Sequence, residues 1–231
     1  MPDAPAFDGF PREGLAFLRG LAASNDRGWF ERNRGTYADA LQAPAKAFVV
    51  AYGAALAERL APGIQAEPSV GRSLFRINRD LRFSRDRTPY NPWLDLAFWE
   101  GPDPRASPAL FLRLEPDRVT IGAGVMALRD DRLAAYRAAV ADDRGARLEE
   151  LLERLVDAEP GVVVNPPTRA RVPAGYPADH ARAGLLRRDA LHAFAEHPIP
   201  GAIETPAFVD WCLARHGRLA GLLRWLVDAV G

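Results

Sequence analysis

Cysteine, lysine and histidine are all scarce in this 231-residue chain. The single cysteine, Cys212, excludes an intramolecular disulfide and a thiolate metal cluster. It sits among apolar residues in a helical stretch and reads as a buried, inert thiol. The four histidines are His180, His192, His197 and His216. None forms a His-x-x-x-His pair or a His-Glu-x-x-His motif, so no metal site is expected; the cofactor, if any, is unknown at this level. An excess of either charge is also missing, with 30 basic and 30 acidic residues. That balance argues against a general nucleic-acid binder but leaves a local basic site open. The N-terminus, MPDAPAFDGF, lacks the basic region and apolar core of a signal peptide. No apolar run approaches the roughly 20 residues of a membrane span. The expectation is a soluble, cytoplasmic protein with no membrane partner.

The length accommodates one large domain or two small ones, and it suffices to bury a core without staples. No clear linker interrupts the chain, so a single domain over 1–231 is expected. Leu15, Phe17, Leu18 and Leu21 give helical spacing over 12–23, with Pro11 suited to the first turn. Asn25 or Asp26 can cap a following helix that carries Trp29 and Phe30. Leu41, Phe48, Tyr52 and Leu56 mark a longer helical region, about 37–60, in which Pro44 should start a new helix or kink the old one. Strand patterns follow at 73–78 and 94–99. The clearest hairpin joins 109–115, with Leu110, Leu112 and Leu114 on one face, to 119–125 through Pro116-Asp117-Arg118. Helices are expected at about 130–142, 145–157, 188–196 and 206–229. Residues 160–184 are rich in proline and glycine, with a short strand pattern at 162–164. His192 and His197 then fall on a helix surface or end, and His216-Gly217 interrupts the last helical pattern. Helices, then strands, then helices describe an α+β protein with a central antiparallel sheet of about four strands.

Arginine supplies nearly all the basic charge, because Lys46 is the only lysine. Clustering and spacing therefore carry more information than arginine as such. One segment stands out: GRSLFRINRDLRFSRDRTPYNPW, residues 71–93. It holds Arg72, Arg76, Arg79, Arg82, Arg85 and Arg87 against Asp80 and Asp86 only. If Phe75 and Ile77 face inward, Arg76 and Asn78 face outward. After Asn78 the pattern breaks into turn chemistry with two Arg-Asp steps, and Pro89 and Pro92 argue against a helix or central strand. Guanidinium groups bind carboxylate or phosphate through parallel hydrogen bonds, and interleaved aspartates can orient them. The structural alternative is that the Arg-Asp steps are ion-paired turn residues pinning a long loop, an arrangement worth about 0–1 kcal/mol when exposed. The glycine framework and lysine of a phosphate loop are missing.

The same residues carry a resemblance. FLRGLAASNDRGWFERNRGTY, FRINRDLRFSRDRTPYNPWL and RVPAGYPADHARAGLLRRDAL together resemble the family known as domain of unknown function 2461, over most of the chain. Ala174 stands where that family leads one to expect arginine, and Arg188 where lysine is common. The resemblance implies an α+β single domain and brings no established activity.

Other constellations are weaker. His180 is the most plausible general acid or base, although an exposed loop histidine is the simpler reading. Ser73 and Ser84 flank the arginines without a Gly-x-Ser-x-Gly elbow, and Ser84 suits a local turn bond. Gly122-Ala123-Gly124 lacks the third glycine of a dinucleotide fingerprint and reads as a bulge or a close strand contact. Trp29, Phe30, Phe83, Tyr90, Trp93 and Trp99 read first as core. The functional expectation is a site for a small phosphate-bearing or carboxylate anion, built on Arg76, Arg79, Arg82 and Arg87. Asp80 and Asp86 would orient them, with Tyr90 and His180 as secondary members. The alternatives are a non-catalytic module docking an acidic partner, or weak nucleic-acid binding through the same segment. Whether the protein is an enzyme is open at this level.

Overall fold

The computed structural model describes residues 6–82, 85–158 and 160–231. It is α+β, with helices at both ends and one antiparallel five-stranded sheet in the order β1-β2-β3-β5-β4. The N-terminal helices are α1 (Arg12–Ala23), α2 (Arg27–Arg32), α3 (Arg34–Tyr37) and α4 (Ala43–Arg59), with a π-helical turn at Ala38–Gln42. The strands β1 (Leu94–Trp99), β2 (Ala109–Leu114) and β3 (Arg118–Val125) follow. Then come α5 (Asp130–Ala141), α6 (Asp143–Ala158), β4 (Val163–Val164), α7 (Ala183–Leu186), β5 (Leu191–Pro198) and α8 (Phe208–Val230).

The chain forms two compact units. The first comprises residues up to Phe98, Phe111–Ile121 and Glu196–Arg215; the second comprises Trp99–Leu110, Gly122–Ala195 and His216–Gly231. The first unit has an aromatic core. Phe48 stacks on Tyr52 at 4.9 Å between centroids and meets Phe10, Phe98 and Phe208. Cys212 is fully buried beside this cluster, and desolvation pushes its thiol pKa well up, as its apolar surroundings imply.

Asp26 caps α2, its Oδ1 accepting the Trp29 N–H at 2.8 Å. Pro44 enters the first turn of α4 directly after the π turn. Proline has no N–H to offer the carbonyl four residues earlier. That carbonyl, Ala40 O, lies so near Gly14 of α1 that a Cβ there would collide with it. The run Arg34–Arg59 is long and apolar enough, by composition, to cross a membrane, contrary to the expectation that no such run exists. Its apolarity has a core explanation: Ala45, Phe48, Val49, Tyr52 and Leu56 are all buried.

The second unit is built around Tyr136 of α5, Leu148, Leu152 and Leu155 of α6, and the later turns of α8. Trp225 meets Tyr136 edge-on at 6.0 Å and donates its Nε1–H to Arg144 O at 2.9 Å. His216 does not interrupt α8; it is fully buried within the helix, with Nε2 at 3.2 Å from Gly122 O. Gly124 is a close strand contact: its φ is +145°, and a Cβ there would collide with the Leu191 carbonyl oxygen.

Three strand expectations change. Residues 73–78 form isolated bridges rather than a strand. Phe75 is 41% exposed, so the inward alternation fails there, while Ile77 is buried as expected. The stretch expected to be helical at 188–196 is instead largely β5, and His192 and His197 lie on that strand. Leu191, Ala193 and Ala195 alternate into the core, so tertiary pairing overrides the helical preference of Ala and Glu. With the two-residue β4 included, the sheet has five strands rather than about four.

Candidate anion-binding loop

The arginine-dense segment belongs to the first unit and starts as an extension beside β1. Phe75 N–H donates to Asp95 O, and Ala97 N–H to Ser73 O, both at 3.0 Å. The chain then leaves the sheet and returns upon itself. Asn78 bridges antiparallel to Tyr90, with Arg79 N–H donating to Pro89 O at 2.9 Å and Asn91 N–H to Ile77 O at 2.7 Å. Pro89 and Pro92 supply no N–H, which limits this ladder to its short base.

Tyr90 anchors that base. It is 5% exposed and stacks on Phe30 at 4.5 Å between centroids, 22° from parallel. The Asn25 side chain grips its backbone from both sides: Nδ2 donates to Tyr90 O at 2.8 Å, and Oδ1 accepts from Tyr90 N at 3.1 Å. Asn25 is therefore a clamp across 65 residues, while its neighbour Asp26 does the capping. Tyr90, expected as a secondary ligand contact, holds the base of the loop.

Beyond this base the Arg-Asp steps pair in a crossed pattern. Arg79 does not pair with Asp80, nor Arg85 with Asp86. Arg79 Nη1 donates to Asp86 Oδ2 at 2.5 Å and also reaches the Thr88 hydroxyl and carbonyl oxygens. Asp86 Oδ1 accepts the Thr88 N–H at 2.9 Å, closing an Asx-type turn. Asp80 is embraced by Arg82: Nη2 donates to Oδ2 at 2.6 Å, Nε to Oδ1 at 3.0 Å, and the backbone N–H to Oδ1 at 3.1 Å. The Arg82 side-chain hydrogen bonds lower the Asp80 pKa to about 2. For Asp86 the Thr88 backbone bond is the main cause, followed by Arg79, and the pKa again falls to about 2. Both carboxylates are thus ionised and committed.

The remaining arginines differ. Arg76 and Arg85 are exposed and, among the described residues, have no ion-pair or hydrogen-bond partner. Arg87 is exposed and, among the described residues, reaches only Leu81 O, at 3.5 Å. The loop therefore carries five arginines against two aspartates, and the aspartates neutralise Arg79 and Arg82. Phe83 and Ser84, named from sequence, lie outside the described residues.

His180 belongs to the second unit. Its Nδ1 accepts the Arg182 N–H at 3.0 Å, so the imidazole serves its own turn. One polar trio was not anticipated. Trp93 Nε1–H donates to Asp95 Oδ2 at 3.0 Å, Arg113 pairs with both Asp95 oxygens at 2.6 and 3.0 Å, and its guanidinium covers the Trp93 ring at 4.4 Å. It fixes the point where the segment re-enters β1. The available signal was parity: Trp93 and Asp95 share a face of an extended chain. Among the described residues, no group of three or more His, Cys, Asp or Glu side chains is placed to hold a metal ion.

Fold and loop together define an α+β protein with a clasped, arginine-bearing loop beside the first strand. The chain belongs to the family described as "Conserved hypothetical protein (DUF2461)", whose model matches residues 13–225. Among curated proteins none matches it.

Proposed function

We propose that the loop over residues 76–90 binds an anionic ligand, phosphate-bearing or carboxylate, through Arg76, Arg85 and Arg87. The observation that carries this reading is the division of labour among the arginines. Arg79 and Arg82 are engaged by Asp86 and Asp80, while the other three present guanidinium groups with no carboxylate partner among the described residues. A loop clasped at its base holds those groups with less conformational freedom than a free tail, which lowers the entropic cost of binding. Arg79, Asp80, Arg82 and Asp86 then form the frame. The reading is of a binding element; no reaction step is assigned to it. It places the protein in the cytoplasm, in keeping with a lone, buried thiol.

A thermal-shift panel of inorganic pyrophosphate, nucleotides, sugar phosphates and dicarboxylates tests it, because binding to the folded state raises apparent stability by mass action. A shift that appears with one anion class and disappears in the Arg76→Ala/Arg85→Ala/Arg87→Ala variant is the expected result. Silence across the small anions, with binding of an acidic peptide through the same arginines, transfers the loop to partner docking. Affinity for single-stranded nucleic acid that falls steeply with salt transfers it to nucleic-acid contact.

A further inference from the structure

A second arginine environment lies in the second unit and uses none of the loop residues. Leu152, Glu153, Val156 and Asp157 of α6 line an open groove of about 390 Å³ with Val164 of β4 and Arg188. Its apolar wall continues to the surface, since Val156 is 47% and Val163 49% exposed. β4 is the last strand in the sheet order, so among the described residues no further strand covers it.

Arg188 is the positive group of this groove. Its Nε and Nη1 are closed off from solvent and, among the described residues, have no acceptor. Its surroundings are already occupied. Asp189 accepts from Arg137 at 2.8 Å and from Arg169 at 2.7 Å. The Tyr136 hydroxyl donates to Leu185 O at 3.2 Å. Arg187 reaches Ala170 O at 3.3 Å and adds a like charge beside Arg188. A half-buried guanidinium stays charged, and the part of it that lines the groove is where an acceptor from outside the chain can meet it. On the other side, Glu153 and Asp157 stand four residues apart on one face of α6 and repel additional negative charge.

We infer that this groove is a binding site for a monocarboxylate with an apolar body, its carboxylate on Arg188 and its body along Leu152, Val156 and Val164. A monocarboxylate pairs its one charge with the guanidinium while its apolar body lies toward the α6 side, whereas a phosphate dianion brings a second negative charge toward the two α6 carboxylates, which already outnumber the cation. The apolar wall favours an alkyl or aryl body over a sugar.

Hexanoate titration followed by calorimetry, with hexanol and inorganic phosphate as comparisons, tests the inference. Hexanoate binds the wild-type protein, hexanol binds more weakly, and phosphate does not compete. Arg188→Gln weakens hexanoate about tenfold or more, the loss expected for a charge-assisted hydrogen bond. Val156→Glu alters an exposed position, leaves the fold intact and also weakens hexanoate by placing a third carboxylate on the wall. The Arg76→Ala/Arg85→Ala/Arg87→Ala variant keeps full hexanoate affinity, which separates this site from the loop. Absence of hexanoate binding, equal binding by Arg188→Gln, or loss of binding in the loop variant overturns it.

Discussion

Arginine does two different jobs in this protein. In the loop over 76–90 the ion pairs lie at the surface, and the partners are two and seven residues apart in sequence. Around 182–189 the arginines are half-buried and the pairs are remote: Asp189 holds Arg137 across 52 residues and Arg169 across 20. Arg182 closes the end of α5, donating to Val140 O at 2.6 Å, to Ala141 O at 3.1 Å and to Asp142 O at 3.0 Å. The first arrangement contributes little to stability and leaves cations at the surface. The second helps hold its unit together. In both regions the arginines held by aspartates or carbonyl oxygens do the structural work, and those without such a partner among the described residues are the binding candidates.

That contrast can be broken in order of expected effect. Tyr90→Ala removes the stacked ring under the loop and is expected to cost about 3–5 kcal/mol, the range for deleting a buried aromatic side chain; urea denaturation measures it. Asp189→Ala strands Arg137, whose side chain is only 15% exposed, and should cost about 3 kcal/mol, the low end for breaking a buried pair. Asn25→Ala removes both clamps on the Tyr90 backbone and should cost about 1–2 kcal/mol. Asp86→Asn has the smallest effect at neutral pH, because the pair it breaks lies at the surface. Its signature is in acid. Asp80 and Asp86 have folded pKa values near 2, against an ordinary value of 3.8. A carboxylate with a depressed folded pKa stabilises fully above its unfolded pKa and loses that contribution as pH falls through the folded value. Wild-type and Asp86→Asn proteins should therefore differ in loop proteolysis above about pH 4 and converge as pH falls toward 2.

The hairpin β2–β3 was legible because Leu110, Leu112 and Leu114 alternate cleanly and a turn separates the two runs. The Asp26 cap was legible for the same local reason. β5 was not, because Leu191-His192-Ala193-Phe194-Ala195 has alternation but weak strand formers, and its strand state depends on pairing across the sheet. The segment at 73–78 erred in the other direction, its strand-like composition yielding only bridges. The loop itself was located by arginine density. Its wiring was not, because the crossed pairing of Arg79 with Asp86 requires the chain to fold back at Asn78 and Tyr90. The Asn25–Tyr90 clamp spans too great a separation for any local pattern to signal it. The half-buried state of Arg188 likewise depends on α5 and α6, which sequence proximity does not bring to it.

The most direct measurement is a calorimetric titration of pyrophosphate into two variants beside the wild-type protein. One is Arg76→Ala/Arg85→Ala/Arg87→Ala, and the other is Arg19→Ala, an arginine of α1 that donates to Pro116 O outside the loop. Binding retained by Arg19→Ala and abolished by the triple loop variant is the predicted result. Equal pyrophosphate affinity in all three proteins would contradict the assignment of the anion to Arg76, Arg85 and Arg87.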